Sequence, residues 1–88
     1  MSIATTKVIM YSTAACPYCV MARKLLSRKG VAFEDIRVDQ HPEQRPIMER
    51  RAGRTSVPQI FIGEVHVGGF TDMQALDQQG ELDKLLAS

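Results

Sequence analysis

The sequence predicts an α/β fold for residues 1–88: one domain with a four-stranded mixed β-sheet flanked by helices on both faces, in the order β-α-β-α-β-β-α. Three observations predict it. A strand, a helix and a second strand follow one another at the start of the chain; an apolar hairpin lies in its second half; amphipathic helical segments close it.

Val8, Ile9, Met10 and Tyr11 form a short apolar run of strand-forming residues, broken by residues 12–15. From Pro17 onward, Met21 and Leu25, with the adjacent Val20 and Leu26, recur at helical spacing. Arg23, Lys24, Arg28 and Lys29 fall outside that stripe, and Gly30 supplies the stop. Phe33, Ile36 and Val38 mark a second strand, and one helix between two strands predicts a right-handed parallel unit. Residues 39–42 read as a turn, after which Pro42 or Glu43 opens a helix carrying Ile47, Met48 and Ala52 until Gly53 ends it. Gln59–Ile62 and residues 65–67 flank Gly63 and Glu64, a two-residue Gly-first turn that specifies a hairpin, closed by Gly68 and Gly69. Thr71 or Asp72 is expected to cap a helix running through Leu76, and residues 81–87 add one or two amphipathic turns with Leu82, Leu85 and Leu86. The chain contains no repeat, linker or low-complexity stretch.

Composition narrows the function. Eleven Lys plus Arg against ten Asp plus Glu give a net charge of +1, which removes the electrostatic case for nucleic acid or an anionic membrane. With 44% apolar and 24% charged residues the chain reads as a folded globular domain. Residues 1–6 lack the basic start and apolar run of a secretory leader, and no window approaches the roughly 20 apolar residues of a membrane span, so the expected location is the cytoplasm. A chain this short buries only about 60% of the surface that its unfolded form exposes, and many such domains use disulfides as staples. Cys16 and Cys19 cannot serve that way, because a bridge across so short a loop removes little chain entropy. In a reducing compartment such a pair points to catalysis or metal binding instead.

The tetrad Cys16, Pro17, Tyr18 and Cys19 sits where a strand ends and a helix begins. Proline suits the first helical position, which makes Cys16 the cap residue, its sulfur facing the unpaired N–H groups and positive end of the helix. Those donors favour the thiolate, so Cys16 is the expected nucleophile. Cys19, one turn on and more buried, is the expected resolving thiol, within the roughly 4.4–6.8 Å Cα separation that a disulfide accepts. The chemistry this allows is reversible thiol–disulfide exchange. Zinc held by the cysteines with His41 and His66 is disfavoured, because the histidines lie far apart in sequence; both are expected to be exposed polar residues.

The tetrad, the segment from Thr55 through Ser56, Val57 and Pro58 to Ile62, and the run Gly68, Gly69, Phe70, Thr71, Asp72 together resemble the dithiol glutaredoxins, small bacterial-type members of the thioredoxin-fold superfamily. The resemblance covers nearly the whole chain and implies a glutathione-dependent thiol–disulfide oxidoreductase that acts on disulfide-containing or glutathionylated proteins, with glutathione as co-substrate and no metal required. It further implies a cis Pro58 that turns the Val57 backbone toward Cys16 to pair with the cysteinyl part of glutathione. Ser56, Gly69 and Phe70 would line the same site. The N–H groups of Thr71 and Asp72 would take the γ-glutamyl carboxylate, and the Asp72 side chain the ammonium. Arg45 would contact the glycyl carboxylate. Tyr18 would pack beside the site and limit access. Arg50, Arg51 and Arg54 receive no role.

One departure stands out: many family members carry a lysine three positions before the nucleophile, where this chain has Thr13. That implies weaker glutathione affinity or greater reliance on Arg45, with the redox chemistry intact. Ribonucleotide reductase is among the partners the resemblance suggests, and a monomer is expected. Two alternatives remain. One is a small electron donor reduced by thioredoxin reductase, although the aromatic, Arg-Pro-containing segment of those proteins is absent. The other is a dimer holding an iron–sulfur cluster through Cys16 and glutathione, against which Pro17 argues, since members that do this readily have glycine there.

Overall fold

The computed structural model describes residues 7–87, so the reading of residues 1–6 as free of a leader pattern lies outside the described residues. The elements are β1 (Val8–Ser12), α1 (Pro17–Arg28), β2 (Glu34–Arg37), α2 (Gln44–Ala52), β3 (Gln59–Ile62), β4 (Val65–Gly68), α3 (Phe70–Gln78) and α4 (Glu81–Leu86). They form a four-stranded sheet of order β2-β1-β3-β4, in which β1 runs parallel to β2 and antiparallel to β3, and β3 and β4 are the predicted hairpin.

Side chains alternate across the two central strands, as pleating requires. Val8, Met10, Ile60 and Ile62 face one side, where Ala22, Leu25 and Leu26 of α1, Phe70 and Met73 of α3, and Leu82 and Leu86 of α4 cover them. Tyr11 and Phe61 face the other side, beneath Met48 and Ala52 of α2. Lys29 at the end of α1 forms ion pairs with Asp77 of α3 and Asp83 beyond it, tying the three helices of the first face together.

Three sequence expectations are corrected. The buried stripe of α1 is Cys19, Ala22, Leu25 and Leu26, whereas Val20 and Met21 are exposed. Hydrophobicity alone points to the larger side chains, but the face of α1 that turns inward carries Cys19 and Ala22. His66 is half-buried rather than exposed: its ring stacks on Phe61 at 4.8 Å and bonds Gln59. The third helix starts at Phe70, with Gly69 as its cap residue, so neither Thr71 nor Asp72 caps it from the expected place. Asp72 instead reaches back from the first turn, its Oδ2 accepting the Gly69 N–H at 2.9 Å.

This reach requires glycine at position 68. Its φ is +109°, and a Cβ there would collide with the Asp72 carboxylate. The Gly69 N–H, then the Arg54 guanidinium, hold the Asp72 carboxyl below its ordinary range. A carboxylate stabilised in this way adds to folding stability above its unfolded pKa, and the contribution is lost as pH falls through the lower folded value. Asp72→Ala is expected to cost about 0.5–2 kcal/mol at neutral pH, the usual range for a lost cap. In denaturant titrations the difference from the parent should persist down to about pH 4 and shrink below it. A difference that is the same at pH 7 and in strong acid would overturn the cap assignment.

Candidate active site

Strand β1 delivers the chain through a short loop to Cys16, which stands in extended conformation (φ −98°, ψ 111°) as the cap residue of α1, with Pro17 in the first turn. Its Sγ accepts the Cys19 N–H at 3.2 Å, doing the work usually done by a Ser or Asp oxygen. The thiol also donates to the Val57 carbonyl at 3.7 Å, so the sulfur is held between the start of α1 and the loop before β3. Both cysteines are free thiols, Cys16 half-buried and Cys19 fully buried. Burial, followed by hydrogen bonding with Cys16, pushes the Cys19 thiol up to about 12, while a backbone hydrogen bond from Thr13 acts the other way. One sulfur is therefore reachable and rests on a backbone donor; the other is dry and protonated.

The loop that carries this arrangement is anchored to β2 twice. The Ala14 N–H donates to Asp39 Oδ2 at 3.2 Å, and Arg37 holds the Asp39 carboxylate through Nε and Nη2 at 2.8 and 2.7 Å, which keeps it well below the usual carboxylate range. On the other side Arg23 donates from Nε to Asp35 at 2.6 Å and from Nη2 to Ser12 Oγ at 2.9 Å and the Thr13 carbonyl at 3.5 Å; the Ser12 hydroxyl in turn donates to Asp35. Although residue 13 is not a lysine, Arg23 thus brings a cation to the loop from the helix side.

Beside Cys16 opens a cleft of about 320 Å³. Ser56, Val57 and Pro58 form one wall, Gly69, Phe70, Thr71 and Asp72 form the other, and Tyr18 and Arg54 stand at its rim. The Val57–Pro58 peptide is cis. Tyr18 is 55% exposed and its ring stacks on Phe70 with centroids 6.3 Å apart. The first main-chain bond of α3 runs from the Met73 N–H to the Gly69 carbonyl, so the preceding N–H groups of Thr71 and Asp72 have no helical acceptor.

The structure therefore gathers Cys16, Cys19, Pro17, Tyr18, Ser56, Val57, Pro58, Gly69, Phe70, Thr71 and Asp72 into one region, but Arg45 is not among the residues lining the cleft. Its Nη1 donates to the Thr55 carbonyl at 2.9 Å and lies 3.8 Å from Glu49, so it braces the segment leading into the cleft. Arg54 lines the cleft in its stead, its Nη1 3.1 Å from Asp72 Oδ2. In the sequence Arg54 is one of several arginines with no assigned role. Only folding separates them: Arg51 lies over Phe61 at 4.3 Å and donates to the Tyr11 hydroxyl at 2.9 Å, on the opposite side of the sheet from the main core. Among the described residues no group of three or more His, Cys, Asp and Glu side chains is placed to hold a metal ion.

The glutaredoxin family model matches residues 8–67. The chain is 54% identical over 81 residues to a glutaredoxin of Pseudomonas aeruginosa, spanning 92% of this chain and 96% of that one. It is 49% identical over 77 residues to glutaredoxin 3 of Escherichia coli K12, spanning 88% of this chain and 93% of that one. Among solved structures, a glutaredoxin from Brucella melitensis superposes with a TM-score of 0.82 at 49% identity, over 94% of this chain and 90% of that one. A buckwheat glutaredoxin–glutathione complex superposes with a TM-score of 0.84 at 26% identity, over 92% of this chain and 76% of that one. A cysteine pair at a strand-to-helix junction, a cis-proline wall beside it and relatives this similar over this much of their length leave one conclusion: the chain belongs to the glutaredoxin family of thiol–disulfide oxidoreductases.

Proposed function

We propose that residues 1–88 form one glutaredoxin domain that reduces glutathione mixed disulfides and protein disulfides at the expense of glutathione, with Cys16 as nucleophile and Cys19 as resolving thiol. In the first route the Cys16 thiolate attacks the glutathione sulfur of a glutathionylated protein; the Cys16–glutathione disulfide forms and the protein thiolate leaves. A second glutathione thiolate then attacks the glutathione sulfur, oxidised glutathione departs, and Cys16 is regenerated. In the second route Cys16 opens a protein disulfide, Cys19 attacks the Cys16 sulfur of the resulting mixed disulfide, and the substrate leaves as a dithiol while the Cys16–Cys19 bond forms. Two glutathiones return the pair to thiols.

The observation that carries this reading is the Cys16 sulfur against the carbonyl of Val57, a residue of the cleft wall. A cysteinyl residue bound along Val57 like an added strand would present its sulfur to Cys16. The N–H groups of Thr71 and Asp72 would receive the γ-glutamyl carboxylate, and the Asp72 carboxylate its ammonium. The buckwheat relative was solved as a glutathione complex, which supports the same assignment here. The buried Cys19 thiol, held up to about 12, supports Cys16 as the first of the two to attack. The proposed setting is a cytoplasmic monomer with glutathione and glutathionylated proteins as partners, ribonucleotide reductase among the disulfide substrates to be tried, and no metal, nucleic acid or membrane.

A glutathione- and glutathione-reductase-coupled assay on a glutathionylated peptide tests this. Cys16→Ser is expected to fall to the uncatalysed background while Cys19→Ser retains turnover on the mixed disulfide and loses it on an intramolecular protein disulfide. Turnover surviving Cys16→Ser, or reduction by thioredoxin reductase but not by glutathione, would overturn the proposal.

The two thiols should also differ in alkylation. With Cys19 held up to about 12, its thiolate fraction at pH 8 is about one part in 10⁴. Brief iodoacetamide treatment of the reduced native protein at pH 8, read by peptide mass spectrometry, is expected to label Cys16 and spare Cys19. Comparable labelling of both would contradict their assigned roles.

A further inference from the structure

Gln59 has its side chain in the interior with no exposed surface, at the start of β3 and immediately after the cis proline. Its amide nitrogen donates to the Ser56 carbonyl at 3.0 Å and to Ser56 Oγ at 3.3 Å. A backbone carbonyl can only accept, so the amide atom facing it must be the nitrogen, and the Gln59 Oε1 must point the other way. There it lies 2.7 Å from His66 Nε2 on β4. Because Oε1 too can only accept, His66 must carry its proton on Nε2. The ring is fixed in place by its stack on Phe61, and burial, then the charge of Arg54, lower its pKa.

The direction of this chain of bonds matters because a trans peptide is planar, with its C=O and N–H on opposite sides. The only cis bond among the described residues is Val57–Pro58, so the unit joining Ser56 to Val57 is trans. Drawing the Ser56 carbonyl inward onto Gln59 turns the Val57 N–H outward, on the wall of the cleft that Val57 lines beside Cys16.

We propose that Gln59 and His66 are positioning residues: a strut from β4 through β3 to Ser56 that sets the Ser56–Val57 peptide plane and so aims the Val57 N–H at the substrate backbone. The inference rests on the proposed glutathione site for its ligand, while the strut itself is a statement about hydrogen bonds and can be tested alone.

The test uses the reduced full chain and S-methylglutathione, which carries the glutathione backbone but cannot exchange. Nitrogen-15 NMR at pH 8 is expected to show His66 protonated on Nε2. His66→Phe preserves a stacking ring and removes the donor; it is expected to shift the Ser56 and Val57 amide resonances and to weaken S-methylglutathione about 2- to 10-fold, the net worth of one neutral hydrogen bond. His66→Gln, which can donate to Oε1 again, should restore part of that affinity, a recovery that loss of bulk packing would not give. Gln59→Leu should weaken binding at least as much as His66→Phe, and if it does not fold the His66 variants decide alone. A proton on Nδ1 only, or unchanged Val57 resonances in His66→Phe, would overturn the strut. If the parent itself fails to bind S-methylglutathione, the glutathione reading fails, and the tautomer and amide resonances still decide whether the strut exists.

Discussion

The junction at Cys16 is the constraint on which the site depends. A helix that starts with proline needs an acceptor just ahead of it, and here the acceptor is sulfur, bonded by the Cys19 N–H. Stabilising the helix end and placing a donor on the more accessible sulfur are therefore one interaction. The same turn buries Cys19, and burial pushes its thiol up. Arg23 and Asp39, by gripping residues 12–14 from two sides, keep the loop from relaxing that geometry.

The opposite wall depends on a second helix start. Asp72 is at once the cap of α3, the partner of Arg54 and the reason Gly68 has no side chain. A carboxylate with those duties is held in one orientation by groups of the chain itself. The exposed Arg54 partner is held by a surface ion pair, an interaction worth little in water.

Much of this was legible in the sequence. The strand run at Val8, the proline at the start of α1 and the Gly63-Glu64 hairpin are local signals, and each produced its element within a residue or two. The place of the cysteine pair was legible because it is set by the strand and the proline that flank it. The misreadings share one cause: burial is decided by neighbours distant in the chain. Val20 and Met21 look more hydrophobic than Cys19 and Ala22, yet α1 turns its small side chains toward the sheet. Likewise Arg51 and Arg54 look alike in one dimension, while folding sends one over Phe61 and the other to Asp72.

The sequence by itself determined the order of the elements and the place of the thiols, because strand propensity, proline at a helix start and glycine turns act over a few residues. Only the tertiary structure decided what surrounds the thiols: which arginine reaches the cleft, why the thiol of Cys19 is high, and how a glutamine and a histidine on adjacent strands bear on Ser56. Those outcomes depend on desolvation and on pairs such as Gln59 with His66 and Arg54 with Asp72, 7 and 18 residues apart in the chain, which meet only when the sheet has closed.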